Sequence, residues 1–137
     1  MPVEAGHRFP EKTVTLDPWR VGLYVEALGV APEEGWAPEP GNPVPPGFLM
    51  YVTMYGADAV HDSFHIDFRK AVYGGMDAEF FAPIRVGDTL TVAPFVSNHF
   101  TKSGSRGDLT FVELTTEYRL PDGTLAARER STTIQRG

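Results

Sequence analysis

The sequence predicts an α+β domain in which a curved antiparallel sheet wraps around one buried helix. The segment from residue 48 to 57 is apolar nearly all round, as a buried helix is. Four later stretches, within residues 76–135, alternate between polar and apolar side chains, as strands with one solvent-exposed face do. The chain has 137 residues, which is the length of one domain.

Two elements precede the buried helix. Residues 11–16 alternate polar and apolar side chains and predict a short strand. Asp17 and Pro18 predict the start of an amphipathic helix, because an Asp carboxylate accepts from an early helical N–H and proline at the first position lacks an N–H. Gly29 is the usual kind of residue to end that helix after Leu28.

A proline-rich flap covers residues 30–47 and leads to the buried helix, which begins at Phe48. Six of its eighteen residues are proline, a density that neither a helix nor a sheet tolerates. We therefore expect a long ordered loop or a partly mobile flap. Beyond the buried helix, residues 61–69 are polar and irregular.

A long antiparallel meander follows. Its strand-like stretches are residues 76–82, 89–100, 109–120 and 125–135. The turn signals between them lie at residues 86–88, 103–107 and 121–123. Asp-Gly between two such strands predicts a hairpin. One buried helix with this meander is the hotdog arrangement, an α+β fold in a single domain with its core over about residues 11–136. Because the sheet covers its helix on one side only, such domains pair side by side into a larger sheet.

Composition narrows the function classes. Twelve basic against eighteen acidic residues give a formal charge of −6, which disfavours nucleic acid and anionic membranes as partners because both are bound mainly through Lys and Arg. The absence of cysteine excludes disulfides and Cys-ligated metal sites, and we expect no cofactor. The chain has no apolar run of membrane-spanning length and no signal-peptide pattern at its N-terminus, so we expect a cytoplasmic protein.

Three motifs carry a resemblance to a known family. They are Pro45-Pro46-Gly47-Phe48-Leu49, the stretch from Val72 to Leu90 with its Pro-Ile-Arg-Val-Gly-Asp-Thr-Leu run, and the stretch from Gly107 to Tyr118 followed by Asp122-Gly123. In this order they resemble the MaoC-like hydratases and dehydratases. Within that family the similarity is to the N-terminal-type domain, also called the FAS1-like dehydratase domain, and it covers nearly the whole chain.

The resemblance implies an activity on acyl thioesters. Members of the family add water to 2-enoyl thioesters of coenzyme A or a carrier protein, or remove it from the 3-hydroxyacyl thioesters. The catalytic members place an Asp and a His after the first helix, where the two orient a water and move its proton. Between Gly29 and Gly47 this chain has neither residue. The resemblance therefore implies a non-catalytic half that shapes the acyl tunnel, while a second hotdog chain supplies the Asp/His dyad.

Other hypotheses stay open. The chain could act alone, as a hotdog thioesterase with Asp58 as base or nucleophile, or as a hydratase in which His61 or His65 replaces the missing base. It could also be a non-enzymatic homodimer that binds acyl thioesters. His61 and His65 have the spacing of two metal ligands on a helix, yet no helical apolar pattern supports them, and we expect no metal site.

Two groups of residues are candidates to line the acyl tunnel. The first group lies on the buried helix and consists of Phe48, Tyr51 and Tyr55. The second is the Gly-Gly segment of the family and consists of Tyr73, Gly74, Gly75 and Met76. Each group has a structural alternative, because aromatic residues at helical spacing also form plain core, and glycine permits close approach of another strand as well as of a ligand.

Lys102 and Arg106 flank a Gly/Ser turn. They are candidates to contact the phosphates of coenzyme A as local cations. The alternative is an ordinary solvated turn.

Overall fold

The computed structural model describes residues 4–29, 37–54 and 69–137. Within these residues the chain forms two helices and five strands. In chain order they are β1 (Lys12–Thr15), α1 (Pro18–Leu28), α2 (Phe48–Met54), β2 (Ala71–Phe80), β3 (Thr89–Gly104), β4 (Gly107–Arg119) and β5 (Leu125–Arg136). No helix among the described residues is long and apolar enough to cross a membrane.

Helix α1 begins and ends where the sequence predicts. The Arg20 N–H donates to the Asp17 carboxylate at 2.8 Å, and Pro18 occupies the first turn. Gly29 closes the helix with a φ of 73°, a left-handed conformation that glycine adopts at little cost. Val21 and Val25 face the core, so the predicted amphipathic helix is confirmed.

The five strands form one antiparallel sheet in the order β1-β3-β4-β5-β2. Strands β3, β4 and β5 follow each other as the predicted meander, and β1 and β2 lie at the two edges. The α helices and the sheet together give the hotdog fold. We call the face that contacts α2 the inner face and the opposite one the outer face. We call β3 from Asn98 onward, β4 up to Glu113 and the facing parts of β5 and β2 the hairpin end.

The strand boundaries differ most from the sequence prediction at two places, the start of β2 and the hairpin between β3 and β4. Strand β2 begins at Ala71, earlier than predicted, because an irregularity in its register with β5 between Tyr73 and Gly75 interrupts the alternation that marks a strand. The hairpin between β3 and β4 is also longer than predicted. Gly104 pairs with Gly107, which tightens the expected five-residue turn to two residues. Glycine has low strand propensity, so the pattern stops short of the true strand ends.

The core lies between the helices and the inner face, at the end of the sheet away from the hairpin. Phe48 and Leu49 of α2 pack there with strand residues such as Val14, Leu90 and Tyr118, all almost completely buried. This packing agrees with the apolar sequence that predicts a buried helix after the flap, since Phe48 and Leu49 are buried against apolar neighbours.

The second part of the predicted flap, residues 37–47, is ordered against the rest of the molecule. The Val44 N–H donates to the Ile84 carbonyl at 3.1 Å, and the Val86 N–H donates to the Asn42 carbonyl at 2.8 Å. The Asn42 side-chain amide donates to the Ala37 carbonyl at 3.1 Å. The first part of the flap, residues 30–36, lies outside the described residues.

Candidate functional site

The candidate site centres on α2, where two predicted tunnel residues meet a third aromatic side chain. Phe48 is fully buried. Its ring lies 5.6 Å from that of Tyr24 in an edge-to-face contact and 5.8 Å from that of Tyr51 in a stacked one. Phe48 is therefore core, whereas half-buried Tyr51 keeps an accessible surface. Tyr55 lies outside the described residues.

Strand β2 brings the Gly-Gly segment next to α2. The Tyr73 hydroxyl donates to the Met50 sulfur at 3.8 Å, so Tyr73 and the first turn of α2 form one surface. Tyr73 and Met76 are 50% and 40% exposed. Because β2 is an edge strand, the side chains of Tyr73 and Met76 lie where the inner face meets the open edge of the sheet.

Gly74 and Gly75 are each required to be glycine for a different structural reason. A Cβ on Gly74 would lie 3.1 Å from Ile134 Cδ1 and 3.2 Å from the Thr132 carbonyl oxygen, closer than ordinary contacts allow. Gly75 has a φ of 140°, which side chains rarely permit. The contact of Gly74 is with another strand, so the structural alternative accounts for it, while contact with a ligand remains a prediction.

The candidate cations lie far from this surface. Lys102 points to the outer face, where its ammonium nitrogen stands 5.6 Å from the ring centroid of Phe100 and 5.3 Å from that of Phe111. Arg106 lies in the turn between β3 and β4. The structure therefore does not bring Lys102 together with the residues of α2, and a phosphate role for Lys102 and Arg106 stays a prediction.

The candidate catalytic residues Asp58, His61 and His65 lie outside the described residues. The described part of the flap, residues 37–47, contains Glu39 and Asn42 but no Asp and no His. Among the residues that the structure describes, no cluster of three or more His, Cys, Asp or Glu side chains could hold a metal ion.

Sequence reasoning missed a buried acidic residue below α2. Glu129 of β5 is 5% exposed, and Tyr118 of β4 donates its hydroxyl hydrogen bond to Glu129 Oε1. The same hydroxyl lies 3.4 Å from the Leu49 carbonyl oxygen of α2. Glu129 Oε2 has no hydrogen-bond partner within the described part of the chain.

Burial raises the pKa of Glu129, and the hydrogen bond from Tyr118 opposes that rise only in part. The hydrogen-bonded pair of Tyr118 and Glu129 can therefore hold a proton in the part of the sheet that lies against α2. A signal was available in the sequence. Alternate residues of a strand lie on the same face, so Glu129 lies on the same face as Ala127, while Arg128 and Arg130 lie on the opposite face.

The described residues match a known family along most of their length. The model of the family described as "FAS1-like, dehydratase domain region" matches residues 4–129. A search of curated proteins finds no match.

Several solved structures share the fold. The HadBC (3R-hydroxyacyl-ACP dehydratase) complex from Mycobacterium tuberculosis matches with a TM-score of 0.70 and 14% identity, over 93% of each chain. The ChsH1-ChsH2 complex from Mycobacterium tuberculosis also has a TM-score of 0.70 and 14% identity, over 93% of this chain and 83% of that one. A MaoC-like dehydratase from Rhodospirillum rubrum has a TM-score of 0.70 and 18% identity, over 98% and 93%. At these identities the likeness establishes the hotdog fold.

Proposed function

Because this chain belongs to the family of the FAS1-like dehydratase domain region, we propose that it is a subunit of an enoyl-thioester hydratase, or 3-hydroxyacyl-thioester dehydratase. In this proposal it is the half that shapes the acyl tunnel, and a partner hotdog chain supplies the catalytic Asp and His. The observation on which the proposal depends is the exposed edge strand β2, in a chain whose flap sequence contains neither Asp nor His.

Strand β2 is suited to accept a partner strand. Among the described residues its one strand partner is β5, and every residue from 72 to 80 is exposed. An exposed edge of this length is a template for pairing with another chain. Three of its inward-facing side chains are large and apolar, namely Tyr73, Met76 and Phe80. A partner sheet would continue this one and bury them.

Two of the structural neighbours support a second chain. HadBC and ChsH1-ChsH2 are complexes of two differently named chains. The match of this chain to each covers most of that chain. We infer that this chain also works in a pair, with β2 at the junction.

Pairing through β2 would also build the tunnel. Tyr51 of α2 and Tyr73 of β2 flank the edge, and the hydrogen bond from Tyr73 to Met50 fixes β2 against the helix. A partner laid along β2 would cover these aromatic side chains and leave an apolar channel beside α2. Apolar channels with few polar groups are what acyl chains require.

The chemistry would take place at the partner's dyad. Hydration adds the water hydroxyl to C3 of the enoyl group and a proton to C2. General acid–base catalysis of this step needs both groups within hydrogen-bond reach of one water. This chain would bind and orient the acyl thioester and exclude bulk water from the channel. That role requires shape and apolar surface, and requires no titrating group of its own.

The test is hydration of trans-2-enoyl-CoA of short and long chain length, followed by the loss of the conjugated-thioester absorbance. We expect no turnover by this chain alone and turnover by its complex with a dyad-bearing hotdog chain from the same organism. Asn in place of the partner's Asp should abolish it. Turnover by this chain alone that survives repurification would overturn the proposal. Loss of that turnover in Asp58→Asn would then indicate a self-sufficient enzyme, and acyl-CoA binding with no turnover in either sample would indicate a scaffold.

The interface can be tested with matched variants. The double variant Met76→Lys/Phe80→Lys places two charges on the β2 edge and should reduce partner affinity by roughly a hundredfold, since a charge buried without a partner is costly. Trp19→Lys makes the same kind of change on α1, where the side chain is 72% exposed, and should leave the complex intact. Retention of the complex by the double variant would place the interface elsewhere.

A further inference from the structure

We propose that the outer face of the hairpin end binds an acidic amphipathic helix of a partner protein. Two adjacent rows of side chains on that face support the proposal, one apolar and one cationic. The surface is separate from the β2 edge, because pairing through an edge extends a sheet without covering its outer face. The inference therefore does not depend on the function proposed above.

The apolar row crosses four strands. Phe100 pairs with Phe111, Phe111 pairs with Ile134, and Ile134 pairs with Val72. The rings of Phe100 and Phe111 stack with centroids 4.8 Å apart and an angle of 4°. Phe100 is 38% and Val72 60% exposed. This row is a continuous apolar strip on the face opposite α2.

The cationic row runs beside it, two residues nearer the chain reversal between β3 and β4. Lys102 pairs with Leu109, and Leu109 pairs with Arg136. The Arg136 N–H donates to the Lys70 carbonyl at 3.0 Å, which places Lys70 next in line. Residues two apart on a strand lie on the same face, about 6.8 Å from each other, so the two rows are parallel neighbours. Lys70, Lys102 and Arg136 are all exposed.

The cations of this row lack the carboxylates that arginines elsewhere on the outer face have. Arg128 pairs with Glu117 at 3.0 Å, and Arg130 pairs with Asp77 at 3.2 Å and with Glu79 at 2.7 Å. Within the described part of the chain no ion pair includes Lys70, Lys102 or Arg136. In a chain of formal charge −6, this is a local positive surface without an internal counter-charge, and it is complementary to an acidic one.

The dimensions fit a helix. Four strands spaced about 4.8 Å apart make each row about 14 Å long, which is the length of about ten helical residues. A helix with carboxylates along one stripe and apolar side chains along the next would oppose both rows at once. A small anion would leave the apolar row unused. A second copy packed symmetrically, row against row, would bring like charges together.

The experiment uses a synthetic helical peptide with a Glu stripe beside a Leu stripe, and a control peptide of the same composition with the stripes scrambled. Binding is measured by fluorescence anisotropy at low and at raised salt concentration. We expect the patterned peptide to bind, raised salt to weaken it, and Lys102→Glu to weaken it by roughly tenfold or more. The matched variant Lys12→Glu on β1 should bind as the wild type does.

A second variant protects the test against misfolding. Arg136→Glu changes the same row close to the end of β5, and circular dichroism checks that each variant is folded. Equal binding of the scrambled peptide, equal loss in Lys12→Glu, or binding to phosphatidylglycerol vesicles without binding to the patterned peptide would each overturn the proposal.

Discussion

The two ends of the sheet differ in what packs on them. At the end covered by α1 and α2, residues such as Leu90, Val92 and Tyr118 are almost completely buried, and the described flap residues are hydrogen-bonded to the turn before β3. At the hairpin end, side chains of β3 and β4 are mostly half-buried or exposed on both faces. Folding free energy therefore concentrates at the first end, since it follows buried apolar area. The second end is held mainly by strand pairing and keeps surface for partners.

The largest expected effect compares one phenylalanine from each end. Phe48→Ala removes a fully buried ring and should lower the free energy of unfolding by about 3–5 kcal/mol. Phe100→Ala removes a ring that is already 38% exposed, and its cost should be about 1 kcal/mol, mostly the lost stacking on Phe111. Urea unfolding of the two variants at equal protein concentration measures both values. Similar costs would mean that the hairpin end is covered more completely than its exposure indicates.

Sequence reasoning captured the helix-covered end better than the hairpin end, for local reasons. Helix α1 has both a capping Asp17 and a terminal Gly29, and each signal acts within one turn of the residue that carries it. The start of β2 is hidden by the register irregularity between Tyr73 and Gly75, which is set by pairing with β5 much later in the chain. The strands β3 and β4 meet at Gly104 and Gly107, which pair with each other but have no side chains that could continue the alternation. Such contacts between strands leave no periodic pattern.

The candidate site shows the same division. The tunnel residues Tyr51 and Tyr73 could be picked from helical spacing and from the Gly-Gly motif, but the hydrogen bond that connects β2 to α2 joins residues 23 positions apart. Glu129 was missed because its partner Tyr118 lies on a neighbouring strand and the helix that buries both comes much earlier in the chain. The alternating pattern of β5 shows that the Glu129 carboxyl faces inward. Its desolvation depends on the packing of α2 and is a property of the folded state only.

The second prediction concerns Glu129, which makes stability at the helix-covered end depend on pH. Burial raises the pKa of Glu129 in the folded protein above its ordinary value of 4.5, so folding favours the protonated carboxyl. The resulting stability is complete at pH values below the ordinary pKa, and is lost as the pH rises through the raised one. Glu129→Gln cannot ionise and should lose less stability than the wild type as the pH rises above the ordinary value of 4.5 and through the raised pKa.

Tyr118→Phe serves as the opposing variant. Its missing hydroxyl removes the hydrogen bond that partly lowers the pKa of Glu129, so the raised pKa should rise further. Urea unfolding at a series of pH values gives the free energy of unfolding as a function of pH. We expect this free energy to fall least steeply with pH in Glu129→Gln, and its fall to continue to higher pH in Tyr118→Phe than in the wild type. A wild-type slope identical to that of Glu129→Gln would show that Glu129 is not desolvated in the folded protein.

The smallest expected effect tests whether the two ends differ in backbone cost as well as in packing. Gly29 after α1 and Gly107 at the start of β4 both have positive φ, 73° and 109°, and neither would bring an added Cβ within 4 Å of another group. Only the conformational cost of a left-handed or more extended positive φ then applies, about 1 kcal/mol for each Gly→Ala change. Equal losses in urea unfolding would show that the difference between the ends lies in side-chain burial. A much larger loss for Gly29→Ala would show instead that backbone strain is amplified where the core is dense.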